Sequence, residues 1–392
     1  MTTVMLDNGA YTAKVGYISE MNPKIIPNCV IKAKTVRNRI FIGNQIDECK
    51  DLSGLYFLLA FQKGYLTNWE IEKQVWDHMF GKNELAVNFE ESGFIVTESY
   101  LNFKSIQESI DEIFFEEYQV PFLFRCNPSY LIQYKQQRKK KNLFCCLVVD
   151  SGYSYTHVVP YHNGRAVKMA MRRISIGGKI LTNHLKEVIS YRQLMVMDET
   201  HVINQLKEDT CFVSQDFYAD MNLAKQKGPS NKIALDYVLP DYAHIKRGHI
   251  KEPDTEINSS EQIIRVCNER FSIPELLFHP SDIGIHEMGI PEAIAYVIGL
   301  CPEELQPFLY LNIILTGGNS CLPGFRERVF KDLRTLAPDH FEINVRLDDS
   351  PIQASWQGGC LLGNSPDFTN HIVTKDQFDE HGVGICQEMF NY

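Results

Sequence analysis

Two aspartates are the first candidates for metal and phosphate chemistry. Asp7 closes the apolar run Val4-Met5-Leu6 and is followed by Asn8-Gly9; Asp150 closes Leu147-Val148-Val149 and is followed by Ser151-Gly152. A carboxylate at a strand end, ahead of a glycine turn, can hold hydrated Mg²⁺ while backbone N–H groups cradle phosphates. A plain hairpin explains either copy alone. Two copies in one setting, with Gly317-Gly318 as a tight approach for a flat ring, suit a nucleotide cleft between related halves. Lys14 could reach a phosphate as a point charge, or be an exposed strand lysine. His157 sits beside the second turn, either as a cleft residue or as a satisfied strand histidine. The chain has no G-x-x-x-x-G-K-[ST] loop, G-x-S-x-G elbow, H-E-x-x-H or H-R-D catalytic set.

The elements that must position these groups read as a plan used twice. VMLDNGAYTAKVGY predicts a strand, a two-residue turn at Asn8-Gly9 and a second strand. CCLVVDSGYSYTHVVPY repeats it, and Asn163-Gly164 turns the chain into a third strand running through Val167 to Ile176. Behind it, Gly177-Gly178 opens a helix with Leu181, Leu185 and Val188 on one face. Ser259, three residues ahead of Gln262, predicts a capped helix over SSEQIIRVCNERF, and Pro291 opens another. NIILTGGNS reads as strand then glycine turn, with a helix carrying Phe325, Val329 and Leu333 after Pro323. Gly358-Gly359 predicts close packing. Alternating meanders and helices indicate an α/β protein of two related halves. The polar stretch Lys225 to Ser260 reads as an insertion or long loop outside the core, and the basic run Arg138 to Lys141 as a solvated loop, with nucleic-acid contact or a nuclear address as its alternatives.

Composition bounds the rest. At 392 residues the chain holds about two to three domains' worth of material, and 44% hydrophobic against 22% charged residues is ordinary for a globular protein. The formal charge of −10 opposes non-specific binding to DNA or anionic membranes, so any nucleic-acid contact must be local. Eleven scattered cysteines without a C-x-x-C pair suggest neither a disulfide framework nor a zinc site, and point to cytosol or nucleus. No secretory leader or membrane span is expected.

At this point the chain resembles the actin family over its whole length. The likeness is carried in order by DNGAYTAKVGY, GYLTNW, DSGYSYTHVVPY, LKEDTCFV, RFSIPELLFHPSDIGIHE, ILTGGNSCLPGF and SWQGGCLL. Within the family, DNGAYTAK, QLKED, SQDFYADM and EMGIPEAI resemble a nuclear actin-related branch found in SWR-type remodelling complexes, which exchange a nucleosomal histone for its Z-type variant. The resemblance implies an actin-like fold of two RNase H-like domains, in four subdomains, around a nucleotide cleft. It implies a first half over 1–142 with a shortened subdomain at about 32–66. A second half would cover 143–335 with an insertion at about 226–260, and segment 336–392 would return to the first half. The ligand would be ATP or ADP with Mg²⁺. Asp7 and Asp150 would face the metal through water, Asn8, Gly9, Lys14, Ser151 and Gly152 would lie along the phosphates, Lys207 and Glu208 would line the nucleoside, and Gly317 and Gly318 would back the adenine.

Several matched positions depart from the family pattern. Ala10-Tyr11 replaces a serine-glycine pair in the first turn, and Tyr153-Ser154 replaces an aspartate-glycine pair in the second. The glutamine that orients attacking water is matched by Pro128, which has no side-chain donor or acceptor, so turnover is expected to be lost. Leu322 and Ile352 replace a tyrosine and a lysine at the adenine. The stretch before Phe41-Ile42-Gly43 and the segment HPSDIGIHE are short where actin makes filament contacts, so filaments are not expected. The resulting expectation is a non-catalytic structural subunit in the nucleus, with the cytoplasm also allowed. It would dock a remodeller ATPase, other subunits, and histones or the nucleosome, with the insertion Gly228 to Glu256 as partner surface. The alternatives are an ATPase of the actin and sugar-kinase superfamily, and a cytoskeletal filament former.

Overall fold

A computed structural model describes residues 1–34, 39–140, 143–252 and 261–390. Its first sheet begins with an antiparallel meander: β1 (Thr2–Asn8), β2 (Thr12–Tyr17) and β3 (Lys24–Pro27). On the other side of β1 lie two parallel neighbours, β4 (Ser92–Thr97) and then β5 (Phe122–Cys126), with Val373–Thr374 at the edge. The second sheet repeats the plan. β6 (Cys145–Ser151) pairs antiparallel with β7 (Thr156–His162) and parallel with β8 (Ile313–Thr316), which pairs parallel with β9 (Val345–Leu347). Val4, Met5, Leu6, Leu147, Val148 and Val149 are all buried, the mark of central strands covered on both faces.

Register explains why both turns open into the same cleft. The last pairs are Asn8 with Ala13 and Ser151 with Thr156, so each turn holds four residues, Gly9 to Thr12 and Gly152 to Tyr155. The first is therefore wider than the two-residue hairpin its Asn-Gly predicts. Asn163-Gly164 does make the tight turn, with φ of 48° and 78° at the two positions and His162 paired with Arg165. The expected third strand is broken into Arg165–Ala166 and Arg172–Ile174, both on β7.

One core gathers the first sheet, Trp76 and Met79 of helix Trp69–Phe80, and C-terminal residues including Trp356, Phe368 and Phe378. A second gathers the other sheet with Leu181, Leu185 and Ile189 of helix Gly178–Arg192 and Ile294 and Val297 of helix Ile290–Gly299. A small sheet of Cys29–Ala33, Ile40–Ile42 and Leu55–Leu59 has its own cluster around Ile31 and Phe41. Helix Ala354–Gly363 crosses helix Pro128–Lys139 so closely that a Cβ on Gly358 would lie 2.1 Å from the Leu131 carbonyl oxygen.

Three expectations are corrected here. The helix expected from Ser259 is a strand, Ile263–Val266, and helix begins only at Glu269; Ser259 itself lies outside the described residues. The polar stretch, over its described residues 225–252, is no loop outside the core. Leu235–Val238 sits between His249–Ile250 and Ile263–Val266 in a three-stranded sheet, with Tyr237 in the second core and Leu235 packed against it. The basic run is the end of a helix: Arg138 lies over the Tyr134 ring and donates to Ser365, and Lys139 pairs with Asp349; Lys141 lies outside the described residues.

Candidate functional site

A cavity of about 540 Å³ lies between the two sheets, within the size range of ligand pockets. Its lining brings together Asp7, Asn8, Gly9, Lys14, Asp150, Gly152, Lys207, Glu208, Gly317 and Gly318, with Pro128, Leu322 and Ile352. Ser151 is not among them. Its hydroxyl is fully buried in the second half, shared with Thr156 at 2.8 Å and accepting from Asn319 at 3.1 Å. Asn8 also turns its side chain away, donating to Glu72 at 2.6 Å. The residue after each aspartate thus anchors its turn to its own half and is not free for a phosphate. Nor are the glycine amides: Gly9 N–H donates to the Asp7 carbonyl and Gly152 N–H to the Tyr155 carbonyl.

The two carboxylates differ in environment. Asp7 accepts from Thr97 Oγ1 at 2.9 Å and has Lys14 Nζ at 3.7 Å, a neighbour set by the pairing of Asp7 with Lys14 across the hairpin. Asp150 accepts from Tyr100 Oη at 3.2 Å. Burial, then the charge of Asp7, push its pKa up to about 6. Two neighbouring carboxylates with one ammonium, Lys14 beside Asp7, leave net negative charge in a confined space, which a hydrated divalent cation would neutralise. Among the described residues no three His, Cys, Asp or Glu side chains cluster as metal ligands, so a cation here would be held largely through water. The carboxylate pair therefore fits a hydrated Mg²⁺.

At the other end, Lys207 is buried and spends its ammonium on Gly178 O, Thr182 Oγ1 and Asn204 Oδ1 at 3.0 to 3.3 Å. It is a strut, with its pKa lowered by burial. Asn204 also donates to Glu208 at 2.8 Å. Gly317 is required: its φ is +86°, and a Cβ would lie 2.3 Å from the Ser151 carbonyl oxygen. His157 lines the cavity but is no proton carrier near neutrality. Its ring stacks on Tyr100 with centroids 4.2 Å apart, and burial, helped by Arg173, pulls its pKa down to about 3.

Residues 1–391 match the actin family. Actin-related protein 6 of Drosophila melanogaster is 46% identical, over 98% of this chain and 98% of the relative. The chain belongs to the actin family. Other relatives of this actin-family chain are Actin-related protein 6 of Arabidopsis thaliana, 35% identical over 99% of both chains, and the Actin-like protein ARP6 of Cryptococcus neoformans, 37% identical over 99% of this chain and 84% of the relative. The fold is actin-like, and the chain is similar over its length to proteins named Actin-related protein 6.

Sequence reasoning missed Glu72, buried behind the first turn, and Tyr100 and the direct contact of Tyr11 with Tyr153 in this actin-family cleft. Glu72 is fully buried, accepting from Asn8 and Asn28, and burial pushes its pKa up to about 7. A signal existed: Glu72 falls three residues after Trp69 and four before Trp76, on an apolar helix face. The tyrosines carried no such signal, since only the fold brings their turns together.

Proposed function

We propose that this chain is a non-catalytic structural subunit of a nuclear SWR-type remodelling complex. It acts as an actin-like clamp that docks the remodeller ATPase and helps engage the nucleosome while a histone is replaced by its Z-type variant. The observation that carries the reading is the cleft: it keeps paired carboxylates and a cavity of about 540 Å³, yet Pro128, at the water-orienting position implied by the resemblance, opens helix Pro128–Lys139 on the cavity wall and cannot position a nucleophile. Full-length similarity to proteins named Actin-related protein 6 supports the same assignment.

ATP or ADP with Mg²⁺ is the proposed resident ligand. Asp7 and Asp150 would hold the hydrated ion, Lys14 would meet phosphate charge, and Gly317-Gly318 would back the base; the ion would neutralise phosphate charge. Phosphate release by the pure chain is expected to match that of Asp150→Ala. Clear turnover above that control would restore the ATPase alternative.

The proposed partner surface is the exposed part of the Gly228 to Glu256 segment around His244, Lys246, Arg247 and His249, which face solvent on an otherwise acidic chain; residues 253–256 lie outside the described residues. Because this segment contains a core strand, deletion would unfold the second half. Charge reversal tests docking instead: Lys246→Glu with Arg247→Glu is expected to leave thermal unfolding within about 1 kcal/mol of wild type while lowering recovery in the tagged remodelling complex from nuclei. Undiminished recovery would move the surface elsewhere. Native purification of the tagged chain should yield a large particle containing a remodeller ATPase and a histone variant; a free monomer or homopolymer would reject the subunit reading.

A further inference from the structure

Tyrosines bridge the cleft between the two halves at three places. Tyr11 of the first half and Tyr153 of the second stack with ring centroids 4.9 Å apart and planes 25° from parallel, and Asn204 of the second half donates to Tyr11 Oη at 3.0 Å. Both rings border the 540 Å³ cavity and also a second one of about 490 Å³, lined on one side by Ile31 and Phe57 of the small sheet, so the stacked pair is a partition. On the wall of the first cavity, Tyr100 of the first half is buried with its ring on His157 of the second, centroids 4.2 Å apart. Its hydroxyl accepts the Ser129 N–H at 2.9 Å, which leaves its proton for Asp150 of the second half at 3.2 Å. At the third place Arg173 of the second half, whose guanidinium lies 4.3 Å from the ring centroid of Tyr155, also donates to Tyr65 Oη of the first half.

Tyrosine suits such bridges, because its ring face supplies apolar contact while its hydroxyl reaches a polar group at the far end. Opening the cleft would put the faces of Tyr11, Tyr153, Tyr100 and His157 into water and break three hydrogen bonds between the halves. Apolar burial and hydrogen bonding therefore both favour the closed arrangement. We infer that these side chains form an aromatic clasp that holds the two halves together by itself, so that closure is a property of the chain and not of a bound ligand. No nucleotide is needed for such closure, which stands apart from the ligand proposed above. A partner that touches both halves then meets one preset surface and binds without first drawing them together.

The test is a pair of double-mutant cycles across the cleft. They are read as thermal midpoints of the purified full-length chain after treatment with EDTA and charcoal to strip metal and nucleotide, and again with Mg-ADP added. One cycle pairs Tyr11→Ala with Tyr153→Ala, and the other pairs Tyr100→Phe with Asp150→Ala. With the halves clasped, the shift in each double variant should fall short of the sum of its single shifts by about 1 to 3 °C in the stripped chain. Mg-ADP should not enlarge that shortfall. Additive shifts in the stripped chain overturn the inference, and do so even where coupling appears with Mg-ADP, since closure would then depend on the ligand. A stripped wild type that no longer unfolds cooperatively overturns it for the same reason. The Tyr100 and Asp150 cycle decides if an alanine variant of the stacked pair does not fold. Coupling that persists in the stripped chain while Mg-ADP moves no midpoint supports the clasp and counts against the nucleotide reading, so the two fail separately.

Discussion

The turn after Asp7 and the turn after Asp150 have the same length and the same strand framework, but they are not interchangeable: the first lends the cavity one tyrosine, Tyr11, and the second two, Tyr153 and Tyr155. In the first, a Cβ on Gly9 would lie 2.6 Å from the Thr12 carbonyl oxygen; in the second, a Cβ on Gly152 meets nothing closer than the Tyr155 carbonyl oxygen at 3.6 Å. The first carboxylate has an ammonium beside it and the second has a phenol. A repeated backbone plan has thus fixed where the two carboxylates sit, while local neighbours decide how each behaves. The closed, charge-paired turn belongs to the first half, and the open turn with its unmatched carboxylate belongs to the second.

The largest contrast should come from adding one methyl group to each turn. Gly9→Ala pushes Cβ into a backbone oxygen that can retreat only by distorting β2, and is expected to cost about 2 kcal/mol or more. Gly152→Ala places Cβ in ordinary contact and should change stability by less than about 0.5 kcal/mol. Urea unfolding of the two variants measures both. Equal costs would mean that the turns are as alike in packing as in length.

A smaller and pH-dependent contrast follows from the carboxylates. The folded-state pKa of Asp150 is raised to about 6 from 3.8, so the folded chain binds more protons than the unfolded one between about pH 4 and 6. Its contribution to stability is therefore present at low pH and lost as pH rises through 6. Asp150→Asn keeps an acceptor for Tyr100 and removes the charge, and should stabilise by about 1 to 2 kcal/mol at pH 8 with no gain near pH 4. Asp7→Asn strands Lys14 beside a neutral group and should not stabilise at either pH. His157, held neutral with a lowered pKa, opposes the trend in wild type by favouring unfolding below about pH 6.5. The comparison is accordingly between each variant and wild type at each pH, by thermal unfolding.

Much of this arrangement was legible in the residues, for identifiable reasons. Central strands such as Leu147-Val148-Val149 are continuous apolar runs ended by a turn signal, and Asn163-Gly164 dictates a tight turn through positive φ at both positions. Ile263–Val266 was hidden because its short apolar run fits either a strand or a helix, and the Ser-x-x-Gln pattern ahead of it favoured the helix. The strand Leu235–Val238 was obscured by the polar residues around it, although Tyr237 and Leu235 tie it to the core. At the site, residue type singled out Asp7, Asp150, Gly317-Gly318 and Pro128, and the fold brings them to the wall of one cavity. The inward turn of Asn8 and Ser151, the saturation of Lys207 and the tyrosine partition could not be read, since each depends on partners brought close only by the assembled sheets and helices.

The finest test of the asymmetry lies in two hydroxyl groups. Tyr11 Oη accepts from Asn204 Nδ2, a bond that ties the first turn to helix Thr200–Thr210 in the opposite half. The same amide also serves Glu208, so deleting the hydroxyl leaves Asn204 one acceptor and only part of its donor capacity unmet. Tyr11→Phe should therefore cost about 0.5 to 1 kcal/mol, near the low end for a hydrogen bond within a protein. Tyr153 contributes to the partition through its ring face, so Tyr153→Phe, which preserves the stack, should lie within about 0.3 kcal/mol of wild type. Thermal unfolding of both single variants resolves this difference when they are measured side by side. If Tyr153→Phe costs as much as Tyr11→Phe, the hydroxyls contribute equally and the two turns are tied across the cleft in the same way; if only Tyr11→Phe is felt, the first turn carries the polar latch and the second supplies only the face it closes on.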